Sequence, residues 1–423
     1  PPKPAPQPDA GVHRWWDQAN ADSEVKWQSL QHHGVIFPPQ YVPHGVPLLY
    51  DGQPVALSPA AEEVATFYAS KLETDYVHKE TFNTNFFADF RDTIKTHDGK
   101  DTFKKINSLP KCNFRRIWEH LEAEKAKKKE LAPAEKKRIK EEEAAKVAKY
   151  TMALIDGRPE KIGNFRVEPP GLFLGRGEHP LAGKLKRRIV PEDVTINVGK
   201  KDPVPECPIP GHKWGKVVHN NTVTWLAMWK DSITGGVKYV FLGAGSAFKG
   251  MSDLQKFDKA RKLDTCIEEI RKNYKLGWRS NKKSIRQRSV ALYLIDKLAL
   301  RVGNEKGEDE ADTVGCCSLR VEHLTFNEPR TVEFDFLGKD SIRYVNAVEV
   351  EVEVFKNLQR FCKDKKPEDD IFDRLTTTGL NEFLKELMPG LSAKVFRTYN
   401  ASKTLNELLQ GTKIEDTVTD KLV

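Results

Sequence analysis

No apolar run in this 423-residue sequence approaches the ~18 residues needed to cross a bilayer as a helix, so no membrane-spanning helix is expected. No secretory leader stands at its start. The opening PPKPAPQPDAGVH reads instead as a proline-rich, extended arm. Cysteine is scarce: Cys112, Cys207, Cys266, Cys316, Cys317 and Cys362 are the 6 present, and none belongs to a CxxC pair. Neither a zinc site nor a disulfide framework is therefore expected, and a reducing compartment, cytosol or nucleus, fits the chain. A nucleotide-binding loop is missing too. GAGSAFKG, from Gly243, follows a strand-like run, but it is not GxGxxG. Met251 stands where a phosphate-binding loop requires lysine before Ser or Thr, so the segment reads as a plain loop.

What is present is length and a mild positive excess. Lys and Arg total 69 against 61 Asp and Glu, a formal charge of +8. That surplus favours a polyanionic partner over a membrane. The length suffices for two or three domains with separate cores.

After the arm come Trp15, Trp16 and Trp27 in a polar setting. They pin this segment to the body of the protein or, alternatively, form a stacking platform for unpaired bases. From Val25 to Leu57, broken apolar pieces among prolines predict short strands and turns. Ser58-Pro59 predicts a helix start, with serine as cap, proline in the first turn, and Glu62 and Glu63 at the positive end. Val64, Phe67, Tyr68 and Leu72 are its expected buried stripe. A second helix around Phe82, Phe86, Phe87 and Phe90 should pack with it. Between Glu122 and Lys149 there are ten Lys or Arg and seven Glu, interrupted by Pro133. Two solvated helices laced by i,i+4 pairs are expected; the surplus of three could also attract duplex DNA.

Residues 151–246 predict a mixed sheet domain, with Thr222–Trp229 and Val237–Leu242 as its clearest strands. Within it lies EPPGLFLGRGEHPLAGKLKRR, Glu168 to Arg188. Gly171, Gly175 and Gly177 permit close backbone approach, and Arg176, Lys184, Lys186, Arg187 and Arg188 supply positive charge. The pattern suits either phosphate contact or an ordinary basic surface loop. Ser252 to Trp278 predicts a long amphipathic helix carrying Leu254, Phe257, Leu263, Ile267 and Ile270.

The stretch from Ile285 to Tyr344 organises the rest. Val290, Leu294, Ile295, Leu298 and Val302 recur at helical spacing, and Gly303-Asn304 should stop that helix. Arg301 then falls in its last turn. Val332, Phe334 and Phe336 alternate with polar residues as in a half-buried strand. Leu337-Gly338 turns the strand and leaves Lys339 at or just past the turn. Two fixed cations, one at a helix end and one on a hairpin tip, could meet over a single anion. Taken singly, an arginine at a helix end complements the macrodipole, and a lysine in a turn is solvated. Further helices are predicted over Val348–Phe361 and Asp369–Met388. Arg397 begins or lies in a last helix, where its plain role is a salt-bridged structural arginine.

The wording of four blocks is more specific than their spacing. DKLALRVGNEK, ADTVGCCSLRVEH, FDFLGKDSIRY and AKVFRTYNAS closely resemble, in order, the catalytic core of the eukaryotic type IB DNA topoisomerases. The likeness runs from near Arg14 to about Leu408. It implies an α+β multidomain protein, a DNA clamp with a mixed α/β N-terminal half and a mainly α, tyrosine-recombinase-like catalytic core. The expected divisions are an arm (1–24), a mixed α/β subdomain (25–45 with 132–246), a helical cap (46–131) and a catalytic subdomain (247–423). The implied reaction is ATP-independent relaxation of supercoiled duplex DNA in the nucleus, with no required metal. One strand is cut through a 3′-phosphotyrosyl link, swivels and is rejoined.

Attack on a phosphodiester places charge on the non-bridging oxygens, and each fixed donor aimed there contributes about 3–4 kcal/mol in comparable sites. Arginine stays charged and forks onto two oxygens; an ammonium can protonate the leaving oxygen. By resemblance, Arg301 and Arg397 hold the scissile phosphate and Lys339 is the general acid, reaching through the minor groove. Arg176, Lys186, Asn304, Lys306, Thr313, Asp340 and Ser341 line the DNA or order that site. The family carries PPGLF-x-GRG around Arg176, which implies a contact beside the cleavage point. Leu174 stands where better-known members carry a second arginine, a departure that bears on groove contact and on camptothecin-type poisons. The charged helices would lie in the cap half, facing DNA downstream of the cut.

Two parts of the family's machinery are absent. No SK-x-x-Y motif occurs to supply the nucleophilic tyrosine, and none of the 11 histidines sits in a CNHQR-like segment. Tyr399 neighbours Arg397 but matches a non-nucleophilic family position and reads as packing. Alone, the chain should bind DNA without cutting it. It is either a fragment or the large subunit of a split, heterodimeric enzyme whose small subunit bears the tyrosine. The 38-residue separation of Arg301 and Lys339 marks a divergent member, and the split form is the favoured expectation. The alternatives are a site-specific tyrosine recombinase, which shares the Arg…Lys…Arg logic, and a non-catalytic DNA-binding clamp.

Overall fold

The computed structural model describes residues 24–303, 307 and 309–410; Trp15 and Trp16 lie outside them. The chain divides into two compact units, the first ending at Met251 and the second beginning at Ser252. The first combines helices with several small sheets, and the second is mainly helical around one sheet.

In the first unit, β1 (Leu30–Gln31), β2 (Leu48–Tyr50) and β3 (Gln53–Val55) are the short strands expected among the prolines. Trp27 is buried and donates its ring N–H to the Val223 carbonyl at 2.8 Å, so it pins its segment. Helix α1 (Pro59–Ala69) starts as predicted, the Ser58 hydroxyl accepting the Ala61 amide. Glu62 is buried and accepts from the Tyr41 hydroxyl and the His44 and Gly45 amides. It thus anchors the preceding loop as well as suiting the helix start.

Helix α2 (Glu80–His97) buries Phe82, Phe86, Phe90 and Ile94 in one stripe, and the Phe86 ring stacks on Tyr68 at 4.1 Å. It is followed by α3 (Gly99–Lys105), β4 (Cys112–Asn113), α4 (Arg115–Glu130) and α5 (Pro133–Val147). Pro133 takes the first turn of α5, and that helix buries no side chain. Its pairs are surface pairs at i,i+3 and i,i+4, such as Arg138 with Glu135 and Glu142.

The remaining strands of this unit are β5 (Met152–Ile155), β6 (Arg158–Lys161), β7 (Gly171–Leu172), β8 (Leu185–Lys186), β9 (Thr195–Asn197), β10 (Lys216–Val218), β11 (Ala227–Lys230) and β12 (Val237–Val240). The largest sheet has the order β10-β9-β11-β12, with only the β10–β9 pair parallel. The strand expected from Thr222 begins only at Ala227. Residues before it give their carbonyls to side chains instead, Val223 to Trp27 and Trp225 to Asn197.

Helix α6 (Ala247–Gly277) begins just before the division and continues into the second unit, where it is followed by α7 (Lys283–Leu298), β13 (Leu324–Asn327), β14 (Thr331–Leu337) and β15 (Arg343–Glu349), then α8 (Val352–Cys362), α9 (Thr377–Leu387) and α10 (Ala393–Gln410). The segment from Gly243 to Ser246 is a loop, and helix begins at Ala247. Leu263, Ile267 and Ile270 face the core, whereas Leu254 and Phe257 stand outside it, 39% and 41% exposed. Helix α7 is buried along Val290–Ile295, which makes it the axis of the unit.

Two helices start later than their apolar spacing predicts. The chain stays in β15 through Glu349 before α8. The turns before α9 are held by the Asp373 carboxylate, which takes Lys283, Lys365 and Gln287. All six cysteines are free thiols. Among the described residues, no helix is long and apolar enough to cross a membrane.

Candidate active site

Apolar periodicity runs past Leu298 and places Arg301 in a helix, but α7 ends at Leu298, with Ala299 left-handed at φ 52°. Such a conformation disfavours a β-carbon by about 1–2 kcal/mol. Tertiary partners offset that cost by satisfying the carbonyls freed at the helix end. Asn400 of α10 donates to the Asp296 carbonyl at 2.6 Å, and the Arg397 guanidinium donates to the Ala299 carbonyl at 3.3 Å. The Asp296 side chain is itself buried and accepts from Arg271 and the Tyr274 hydroxyl.

Arg301 is therefore exposed, in an irregular segment beyond the helix. That segment is held on its backbone. The Cys316 and Cys317 amides donate to the Arg301 and Val302 carbonyls, both at 2.7 Å, and the Thr377 hydroxyl donates to the Gly303 carbonyl. Gly303 has φ 81° and crosses Gly315 so closely that a β-carbon on Gly315 would lie 2.4 Å from Gly303 Cα and N. Only glycine fits that crossing.

The same connecting segment reaches the hairpin. The Val314 amide donates to the Leu337 carbonyl at the end of β14, at 2.8 Å. Beyond it Gly338–Ile342 form the tip, closed by the Gly338 amide on the Ile342 carbonyl at 2.8 Å. Asp340 and Ser341 are both left-handed, at φ 67° and 58°. Two successive non-glycine residues in that region are uncommon, and such backbone collects at functional sites. Lys339 and Asp340 are exposed here and Ser341 is half-buried. Arg343 grips Asp335 with two hydrogen bonds at the base of the tip.

The charges are arranged unevenly. Arg397 reaches the Ala299 carbonyl two residues before Arg301, so the two arginines share one region, and burial, then the Arg301 charge, push the Arg397 guanidinium below its ordinary pKa. Other arginines of this unit are neutralised: Arg271 by Asp296, Arg320 by Asp312 and Glu322. Among the described residues, no carboxylate pairs with Arg301, Lys339 or Arg397. Two arginines of one region with no carboxylate partner among the described residues suit a bound dianion or phosphodiester. Among the described residues, Lys339 is linked to them through the Val314–Cys316 backbone.

Thr313 is half-buried and lines a cavity of about 270 Å³ with Asp312, Cys317 and Thr377. Asn304 and Lys306 lie outside the described residues. Tyr399 is 3% exposed, and its hydroxyl accepts from Lys403 at 3.0 Å. Burial raises that hydroxyl's pKa, so it is a packed residue rather than an accessible nucleophile.

In the first unit, the glycine-rich basic loop has Gly175 and Gly177 at φ 64° and 60°. It is pinned to α2 by Asn85 on the Pro180 and Ala182 carbonyls and by Asp89 on the Leu185 amide. Most of its cations serve the fold. Lys184 pairs with Asp89, Lys186 with Glu168 at 3.6 Å, and Arg188 with Glu63. Arg187 pairs with Asp193, whose carboxylate raises the guanidinium pKa. Arg176 is exposed. Leu174 packs on the phenylalanine core of this unit.

Sequence reasoning missed Asp296, Asn400, Thr377 and Gly315. An acidic residue closing the apolar run of α7 was the available signal for Asp296. For the other three the signal lay only in their place within or beside the family-like blocks.

Residues 25–242 match the family model described as eukaryotic DNA topoisomerase I, DNA binding fragment. Residues 245–423 match that described as eukaryotic DNA topoisomerase I, catalytic core. DNA topoisomerase 1 of Schizosaccharomyces pombe is 54% identical over 414 residues, covering 97% of this chain and 50% of that protein. The Drosophila melanogaster protein of the same name is 52% identical, covering 97% and 43%. The Homo sapiens protein is 50% identical, covering 93% and 52%. The chain thus spans about half the length of these curated relatives.

Proposed function

From the premise that this chain belongs to the eukaryotic DNA topoisomerase I family, we propose that it is the DNA-binding and phosphate-holding part of a nuclear type IB topoisomerase. The observation that carries this reading is that Arg397 donates to the Ala299 carbonyl, two residues before Arg301, with neither arginine paired to a carboxylate among the described residues. In this reading the two units clamp duplex DNA. Arg301 and Arg397 each bind a non-bridging oxygen of the scissile phosphate. A tyrosine oxygen attacks phosphorus, the bond to the 5′-oxygen breaks, and Lys339 protonates that leaving oxygen. The 3′-phosphotyrosyl bond conserves the energy of the broken one, so rejoining needs no ATP. Arginine neutralisation takes the place a metal would have. Arg176, Lys186, Asn304, Lys306, Thr313, Asp340 and Ser341 contact the duplex or order the site. Of these, Lys186 must exchange Glu168 for DNA or hold both.

No SK-x-x-Y motif lies within the sequence, so the tyrosine comes from another polypeptide, as in a large-and-small-subunit enzyme, or from further sequence of the same protein. The test is relaxation of a supercoiled plasmid in EDTA without ATP, by this chain mixed with an SK-x-x-Y-bearing polypeptide. Relaxation of any plasmid, trapped as a covalent complex by camptothecin and lost on Arg301→Ala, Lys339→Ala or Arg397→Ala, supports the reading. Strict dependence on one sequence and on synapsis would point to a recombinase. Undiminished cutting by the three variants would refute the site, and no cutting in any combination would leave a binding clamp.

A further inference from the structure

The hairpin that carries Lys339 is closed at its base by a pair that the phosphate chemistry leaves unused. β14 and β15 pair with Leu337 opposite Arg343 and Asp335 opposite Val345. Val332, Phe334 and Phe336 point inward and are buried, so Asp335, Leu337 and Arg343 share the outer, exposed face. The Arg343 side chain runs back along that face. Its Nε and Nη2 donate to the two carboxylate oxygens of Asp335 at 2.8 and 2.6 Å. An ordinary surface ion pair holds little, but a two-pronged fork fixes direction as well as distance.

What lies beyond the fork is backbone that does not hold itself. Asp340 and Ser341 are left-handed without being glycine, a conformation that persists only where the surroundings over-determine it. Three backbone bonds span the tip: Gly338 to the Ile342 carbonyl at 2.8 Å, Ser341 to the Gly338 carbonyl at 3.0 Å, and Ile342 to the Lys339 carbonyl at 3.5 Å. The last is at the limit of a hydrogen bond. The two legs of the tip are tied unequally. The end of β14 is also held by the Val314 amide on the Leu337 carbonyl, from the segment whose Cys316 amide bonds the Arg301 carbonyl. β15 is the edge of its sheet and pairs with β14 alone. On the inner face the Tyr344 ring packs on Phe336 at 5.0 Å; on the outer face the fork ties the first residue of β15.

We propose that Asp335 and Arg343 are positioning residues for Lys339. Their fork fixes the second leg of the tip, and with it the place of the Lys339 ammonium relative to Arg301 and the leaving oxygen. The inference rests on Lys339 being the proton donor of the proposed reaction. Misplacement by about 1 Å can cost about a hundredfold in rate, so a pair that adds little to global stability can still govern protonation. The Arg343 charge is spent within the protein, on Asp335, rather than on DNA.

Single-turnover cleavage by the chain mixed with an SK-x-x-Y-bearing polypeptide tests this on two duplexes, one ordinary and one with sulfur replacing the scissile 5′-oxygen. In the second, the tyrosine oxygen attacks phosphorus, the phosphorus–sulfur bond breaks, and the sulfur departs as a thiolate that needs no proton. Asp335→Asn and Arg343→Gln should each slow the ordinary cleavage about tenfold or more and leave the sulfur duplex near the parent rate, the pattern expected of Lys339→Ala. The double variant should be no slower than either single one, because each removes the whole fork. Thermal melts and duplex affinity should stay at parent values. In the chain alone, hydrogen exchange at the Gly338 and Ser341 amides should quicken in both variants. Should Asp335→Asn or Arg343→Gln unfold, Arg343→Lys, which keeps the charge and loses the fork, carries the test.

Parent rates on the ordinary duplex would overturn the proposal. So would equal losses on both duplexes, which would put the defect at the phosphate. Opposite changes in duplex affinity, down in Arg343→Gln and up in Asp335→Asn, would overturn it too and make Arg343 a DNA contact. In each of these cases relief of Lys339→Ala by sulfur would leave the proton donor standing. Failure of sulfur to relieve Lys339→Ala would instead remove the proton donor from the proposed function, and this inference with it.

Discussion

The Arg397 guanidinium donates to the carbonyl of Ala299, 98 residues earlier, at 3.3 Å. The residue that terminates α7, and so determines where Arg301 stands, is itself held by the second arginine of the pair. One side chain thus serves as a structural donor and, in the proposed function, as half of the anion site. Arg397→Lys keeps the charge but cannot hold the carbonyl and fork onto a phosphate together. Cleavage of a nicked duplex in single turnover, with a tyrosine source added, should fall by about 10²-fold or more, while duplex affinity changes little. Cleavage at the parent rate would show that the fork is not used.

Thr377 supports the loop rather than the phosphate. Its hydroxyl donates to the Gly303 carbonyl two residues after Arg301. Thr377→Val keeps the shape and leaves that carbonyl without its donor, at a cost of about 1–3 kcal/mol. Thr377→Ser restores the donor. Denaturation should therefore rank parent and Ser above Val, and the cleavage rate should follow the same order with substrate affinity unchanged. Equal rates for Val and Ser would mean that the loop does not depend on this bond.

These two residues also mark what could be read without a structure. Ser58-Pro59 announces α1 correctly because a cap is local chemistry, the hydroxyl reaching an amide three positions on. The alternation of Val332, Phe334 and Phe336 likewise yields β14, with every inward residue buried. The end of α7 was not legible. Its apolar periodicity continues to Val302, and the helix stops earlier because Asn400 and Arg397 arrive from α10. The ion pairs of the basic loop were not legible either: Asp89, Glu168, Asp193 and Glu63 engage its cations from positions that spacing does not connect. Residue types showed which groups carry positive charge; pairing across the fold decided which of them a carboxylate engages.

Gly315 offers a harsher probe of the same loop. A methyl there would meet Gly303 Cα and N at 2.4 Å and the Arg301 carbonyl at 2.9 Å, all backbone. No side chain can swing aside to relieve it. Gly315→Ala should destabilise the second unit by about 1–3 kcal/mol or more and abolish cleavage even where the protein remains folded. A well-folded Gly315→Ala variant with parent activity would mean that the crossing opens in solution.

His32 makes the stability of the first unit depend on pH. It is 7% exposed, its Nδ1 accepts the Gly34 amide at 3.0 Å, and its other nitrogen therefore carries the hydrogen donated to the Asn197 carbonyl at 2.9 Å. Burial lowers its pKa from 6.5 to about 4. The folded ring resists a proton that the unfolded ring accepts below 6.5, so the unfolded state binds more protons between these values. His32 thus contributes its full stability above pH 6.5 and loses it as pH falls towards 4, at about 1.4 kcal/mol per pH unit. His32→Gln can keep a donor and an acceptor but cannot titrate. Urea denaturation followed by tryptophan fluorescence should show a lower plateau for the variant at neutral pH and a shallower decline below it. The difference between the two curves isolates His32 from the carboxylates that titrate in the same range. Parallel curves would mean that the ring is already protonated when folded, and that the Gly34 amide does not rest on Nδ1.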